Sequence, residues 1–374
     1  MATHKLLPLL LVTLLACGSP EAIEIGVIAP LTGPAASYGE PSALALQVGA
    51  DIINEQGGVL GRQIKLIMQD GECNPAKAVT ATKHLIEIEG VSVLLGGSCS
   101  SESIAIAPVA NENKVLQVAT LTSADSYSDA GPYSFRVFPT STYYVGKQAQ
   151  LALQQGVTSI VIIYEQKAYP QSVFAAFKKG FEANGGTVIQ EHAFPSEETD
   201  FRSYLLKAKE SGAQAILFSA QGTSSAVNFL KHYHELDLQD SFKLIGNSVV
   251  AAKKVFDESQ GLNVGVTAVD AYADRSTLQA QELLTRYAAK YGQEPQTNFG
   301  YVAASYDRVF LVARAMEACE SVTDTDCMAA YLSAVQGYRG VYGTLSFDER
   351  GDVTSSIAIH HLDEQGNHVW KPIH

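Results

Sequence analysis

From Ile23 onward, short apolar runs alternate with longer stretches of helical period, and this alternation limits the fold more than any other feature of the chain. It is the signature of βα units and of a parallel sheet covered by helices. Ile23 to Ala29 reads as a strand, and Ala43, Leu46, Ala50 and Ile53 then recur on one helix face until Gly57-Gly58 stops the helix. Strands are predicted at Ile64 to Met68, Val91 to Leu95 and Val115 to Val118. Asn74-Pro75 is expected to open a helix, with Asn as N-cap and Pro at the first helical position. A further helix is expected to start near Ser100. A second set begins past Pro139, with strands at Ile160 to Tyr164, Thr187 to His192, Ala215 to Phe218 and Lys243 to Ile245. Helical stretches at 171–183, 201–209 and 223–236 lie between them. After these two α/β halves come a strand at Gly265 to Asp270, helices at 278–291 and 301–318, and a late strand at Thr354 to His361. That surplus implies that the chain crosses between the halves more than once.

The N-terminus sets the compartment. Leu6 to Ala16 is an acid-free apolar run preceded by Lys5 and ended by Gly18-Ser19-Pro20, shorter than the roughly 20 residues of a membrane-spanning helix. It reads as a signal-peptide core over residues 1–16. Leu14-Leu15-Ala16-Cys17 resembles the bacterial lipobox, so Cys17 is the expected lipidation site and first mature residue. The other cysteines are Cys73, Cys99, Cys319 and Cys327, an even number in an exported chain. Of the three possible connectivities, the short local loop between 319 and 327 favours Cys73–Cys99 and Cys319–Cys327. The chain has no CxxC, so no metal site is expected. A formal charge of −13 with no cluster of Lys and Arg opposes nucleic-acid binding.

In open parallel sheets, ligands sit beyond the carboxyl ends of the strands, where the loops meet the positive ends of helices. Gly96-Gly97-Ser98-Cys99-Ser100-Ser101 follows the third strand there, offering a close turn, hydroxyls and helix-start amides to a carboxylate. Ser100 and Ser101 are equally good helix caps. Thr120 and Thr122, in the loop after the fourth strand, add hydroxyls. Catalytic devices are missing: there is no GxSxG elbow, no GxGxxG after a strand and no phosphate loop, so neither an enzyme nor a cofactor is expected. His232 and His234 lie two apart on a predicted helix and make poor co-ligands, while His360-His361 reads as a solvent-exposed pair.

Several motifs, in order and spacing, resemble the periplasmic ligand-binding proteins of branched-chain amino acid ABC transporters. They are Ile28 to Pro34, Tyr38-Gly39, Ile52 to Gly58, Asp70 to Pro75, the 96–101 loop and Val341 to Asp348. The resemblance covers 22–370 and implies the type I fold, two doubly wound parallel-sheet lobes joined by three hinge strands. It puts 22–140 and 272–343 in lobe one, and 141–271 and 344–374 in lobe two. It also implies a monomer in the periplasm or cell envelope that hands a small amino acid or related carboxylate to a permease, or to a receptor. Ser100, Thr120 and Thr122 fall where the family holds the α-carboxylate and ammonium of its ligand. Tyr38 and Tyr169 fall on pocket aromatics, and Gln221 replaces a further one. The acid that pairs with the ammonium is missing from Gly246-Asn247-Ser248-Val249, with Ser248 at the site, so Asp270 is the expected substitute. Without one, the ligand is an amide, a short acid or an aromatic acid.

Overall fold

The computed structural model describes residues 21–373, and the expected signal peptide over 1–16 and the expected lipidation site Cys17 lie outside them. Two parallel sheets, one in each lobe, carry the fold. The first takes the order β2-β1-β3-β4-β5, from β1 (Ile23–Ala29), β2 (Ile64–Asp70), β3 (Val93–Gly96), β4 (Leu116–Ala119) and β5 (Ser134–Arg136). Between its strands run α1 (Ala36–Glu55), α2 (Pro75–Glu87) and α3 (Ser100–Glu112). Asn74 caps α2 as its sequence predicts, its side chain accepting from the amides of Ala76 (2.9 Å) and Lys77 (3.1 Å). Helices cover both faces of this sheet, so β3 and β4 are buried along their whole length, Gln117 included, and β1 is buried everywhere but at Glu24.

The chain crosses to the second lobe through α4 (Ser141–Gln154), capped by Thr140. There β6 (Ser159–Glu165), α5 (Ala168–Ala183), β7 (Thr187–Phe194), α6 (Arg202–Ser211), β8 (Ala215–Ser219), α7 (Thr223–Glu235) and β9 (Lys243–Gly246) build a sheet of order β7-β6-β8-β9. After α8 (Lys253–Ser259), β10 (Ala268–Ala271) leads back to lobe one, where α9 (Leu278–Tyr291) and α10 (Phe299–Ala318) pack along α1. α11 (Thr325–Ser333) and the small strands β11 (Tyr338–Arg339), β12 (Thr344–Phe347) and β13 (Val353–Thr354) follow. The hairpin of β14 (Ile357–Leu362) and β15 (His368–Ile373) then returns to pair antiparallel with β10.

The third crossing lies later than residue 343, a correction to the expected lobe boundary. Phe347 packs edge-on against Phe135 at 5.6 Å, and the buried Arg136 pairs with Asp352 at 2.7 Å, so 344–354 stay on lobe one. The strand β15 and the helix α11 were not anticipated. β15 alternates exposed and half-buried residues and has no apolar run to betray it. Both expected disulfides are present, Cys73–Cys99 and Cys319–Cys327. By loop-closure entropy the longer one stabilises by about 3.5 kcal/mol and the shorter by about 2.5 kcal/mol. No helix among the described residues is long and apolar enough to cross a membrane.

Candidate functional site

Each parallel sheet has a switch point, between β1 and β3 in the first and between β6 and β8 in the second. The loops leaving those strands meet across the cleft and close over a cavity of about 70 Å³, room for several water-sized groups. From lobe one come Tyr38 on α1, Ser98 to Ser100 at the start of α3, and Leu121 after β4. Lobe two contributes Tyr169 at the start of α5, Gln221 after β8, Ser248 after β9 and Asp270 on β10. Phe138 and Tyr301 complete an aromatic wall, with Tyr301 5.9 Å from Phe138 and 6.5 Å from Tyr38 between ring centres.

The turn before α3 is shaped by a residue that sequence reasoning missed. Glu102 is fully buried, and its carboxylate accepts from the main-chain amides of Cys99 (3.0 Å), Ser98 (3.1 Å) and Cys73 (2.9 Å). It sits so close to the backbone that a Cβ at Gly71 or Gly97 would overlap it, which accounts for glycine at both positions. The Cys99-x-x-Glu102 spacing of a capping box was the available signal. Glu102 consumes two of the amides expected to be free, so the unpaired helix-start amides begin at Ser100. Ser100 is buried on the cavity wall, and its Oγ accepts from the amide of Ala124 (3.2 Å).

Thr120 and Thr122 do not reach the cavity, a correction to the expected hydroxyl pair. Leu121 adopts φ +51° and turns its own side chain to the wall. Thr122 Oγ1 shares a hydrogen bond with Ser103 Oγ (2.6 Å), and Thr120 Oγ1 is buried without a partner. Beneath this loop Arg136 donates to the carbonyls of Thr122 (3.2 Å) and Ala124 (2.8 Å), bracing it from below. Nothing in the sequence singled out Arg136.

Tyr169 and Ser248 share a hydrogen bond of 2.9 Å, and Gln221 Nε2 donates across the cleft to the Tyr38 hydroxyl at 2.7 Å. The second bond joins the lobes in a closed arrangement. Asp270 is the one acidic side chain on the wall among the described residues. Its Oδ2 accepts from the Tyr301 hydroxyl (2.8 Å) and Asn298 Nδ2 (2.9 Å), and its Oδ1 from the amide of Ala271 (2.7 Å). Burial pushes its carboxyl up to about 7, against the pull of those hydrogen bonds. His360 is buried rather than exposed. It bonds His368 (2.6 Å) and stacks on Trp370, the only tryptophan, at 4.3 Å, because Trp370 and His368 flank it from β15. Cys99 is half of a disulfide and so is no thiol nucleophile.

A family model described as periplasmic binding protein matches residues 22–367. A leucine-, isoleucine-, valine-, threonine- and alanine-binding protein of Pseudomonas aeruginosa is 25% identical over 340 residues, covering 89% of this chain and 87% of that protein. Among solved structures, a leucine-binding protein from Thermotoga maritima superposes with a TM-score of 0.85 at 22% identity, covering 94% of this chain and 98% of its own. A solute-binding protein of an ABC transporter from R. palustris, in complex with 4-hydroxybenzoate, gives 0.84 at 23% identity, with 94% and 96% covered.

Proposed function

The chain belongs to the periplasmic binding protein family, and from that premise we propose that it captures a small carboxylate-bearing solute between its lobes and presents it to an ABC permease. The observation that carries the reading is the closed cleft. Two switch points converge on one small cavity, and the first turn of α3 at Ser100 offers it unpaired amides and a positive helix end. The carboxylate lies at Ser100 and Leu121; Tyr38, Phe138, Tyr169 and Tyr301 enclose the body of the solute. Closure is a hinge motion, driven by contacts that the ligand makes to both lobes at once. No covalent step is involved.

Two ligand classes fit this frame. In an amino acid the ammonium faces Asp270, which substitutes for the acid missing from 246–249. An aromatic acid is favoured by the ring-rich wall and by that same missing acid, and the R. palustris protein was solved with such a ligand. Calorimetry against amino acids, amides and aromatic acids tests the function, with Trp370 fluorescence as an independent report of closure. At least one acid is expected to bind and to be recovered unchanged. Turnover of the bound compound, or no binding across the panel, would sink the reading.

Cys17 anchors the mature protein through acyl chains at the cell envelope. The rest of the chain is acidic and offers no basic surface for anionic lipid. Labelled palmitate is expected to enter wild type and not Cys17→Ala; equal incorporation removes the anchor.

A further inference from the structure

Two buried polar atoms of lobe-two residues lining the cavity are left without a protein partner, His360 Nδ1 and Gln221 Oε1, and only the second belongs to a side chain that bridges the lobes. Gln221, 5% exposed, follows β8, and its main-chain N–H donates to Glu165 Oε2 at 2.7 Å. Its side-chain Nε2 donates to the Tyr38 hydroxyl at 2.7 Å. What Tyr38 faces on its other side agrees with that orientation of the amide. Its hydroxyl lies 3.5 Å from Cys99 Sγ and 3.6 Å from Cys73 Sγ, and the sulfurs of a disulfide can only accept. The phenol proton therefore turns to the sulfurs and an oxygen lone pair to Gln221 Nε2. Gln221 Oε1 remains as a buried carbonyl oxygen with no hydrogen-bond partner.

We infer that Gln221 Oε1 reads a hydrogen-bond donor on the solute, so that the ligand is an acid carrying a hydroxyl or amide N–H at its far end. This rests on the carboxylate-capture reading above and narrows it. An unpaired acceptor walled off from water is a standing cost that a ligand donor removes and an apolar ligand end makes permanent. Sites built around such a group reject analogues that lack its partner far more strongly than apolar pockets reject a missing methylene. Glu165 does not compete for the donor, since it already accepts from Gln221 N and pairs with Lys167 at 3.3 Å.

Calorimetry on the full chain with matched acids that differ by one donor tests this: 4-hydroxybenzoate against benzoate, and threonine against valine. In wild type the donor-bearing member of at least one pair is expected to bind about 10- to 100-fold tighter. Gln221→Leu is expected to shrink that preference to about threefold or less while still binding the apolar member, which shows the variant folded. Gln221→Glu keeps an acceptor at the same place and is expected to retain the preference. Binding without a preference in wild type, or a preference that survives Gln221→Leu, overturns the inference and leaves carboxylate capture standing. Failure of all four acids to bind overturns the inference, and carboxylate capture then falls only if the wider panel of amino acids, amides and aromatic acids also fails to bind.

Discussion

Glu102→Gln is expected to weaken the protein and its site together. The wild-type carboxylate holds three main-chain amides from two separate loops, two on Oε2 and one on Oε1. Glutamine keeps the size but has one oxygen. Whichever way its amide is turned, an NH₂ group confronts at least one buried N–H, and that donor is stranded. Burial holds the Glu102 carboxyl up at about 7, so it is ionised at pH 8. Hydrogen bonds to a charged group contribute about 1.5–3 kcal/mol and a stranded buried donor costs about 1–3 kcal/mol, so urea denaturation at that pH should show a loss of about 3 kcal/mol. The same amides set where the first turn of α3 begins, and therefore where Ser100 faces the cavity. Affinity for the tightest-binding acid should fall about tenfold or more, since small misplacements of a binding group are costly. Unchanged stability and affinity would mean that the Cys73–Cys99 disulfide and the Ser100–Ala124 bond place the loop unaided.

The contrast between Glu102 and the threonines shows which parts of the site were legible in the sequence. Ser100 could be read from periodicity and the rule that places ligands beyond parallel-strand ends, whereas Tyr38, Tyr169, Gln221, Ser248 and Asp270 were implied by the family resemblance; all six reach one cavity. Side-chain direction inside a loop has no such period. Thr120 and Thr122 were placed by position in the chain, but the positive φ at Leu121 turns the loop about itself and hands the wall to an apolar residue. Glu102 looked like an ordinary helical acid, although its spacing from Cys99 marked a capping box. Arg136 was illegible for another reason. Its role depends on Asp352, which returns to the fold 216 residues later, and no local pattern reports so distant a partner. The same long-range pair moved the third crossing beyond residue 343, where the family resemblance had put it.

Asp270→Asn separates the two ligand classes. For an amine-bearing acid, the substitution leaves the ammonium buried without a counter-charge, and breaking such a pair costs about 3–5 kcal/mol, or roughly 150- to 4,000-fold in affinity. For an acid with no amine the change should be small, because asparagine still offers one oxygen to the donors Tyr301 and Asn298. The pH dependence gives a second, independent sign. In the empty protein burial holds the Asp270 carboxyl at about 7. An ammonium binds the ionised form and pulls that value down. Affinity for amine-bearing acids is then full above pH 7 and falls about tenfold per unit as pH drops below it. Asp270→Asn should abolish that slope, and an acid without an amine should show no such loss. The stability of the empty protein runs the other way. A carboxyl raised in the folded state adds stability that is fully present below its unfolded value, near 4, and is lost as pH rises through about 7. Calorimetry from pH 8 to pH 5.5 on both proteins decides the matter. A flat profile for an amine-bearing ligand, or equal affinity in Asp270→Asn, would reduce Asp270 to a bracket between β10 and the start of α10.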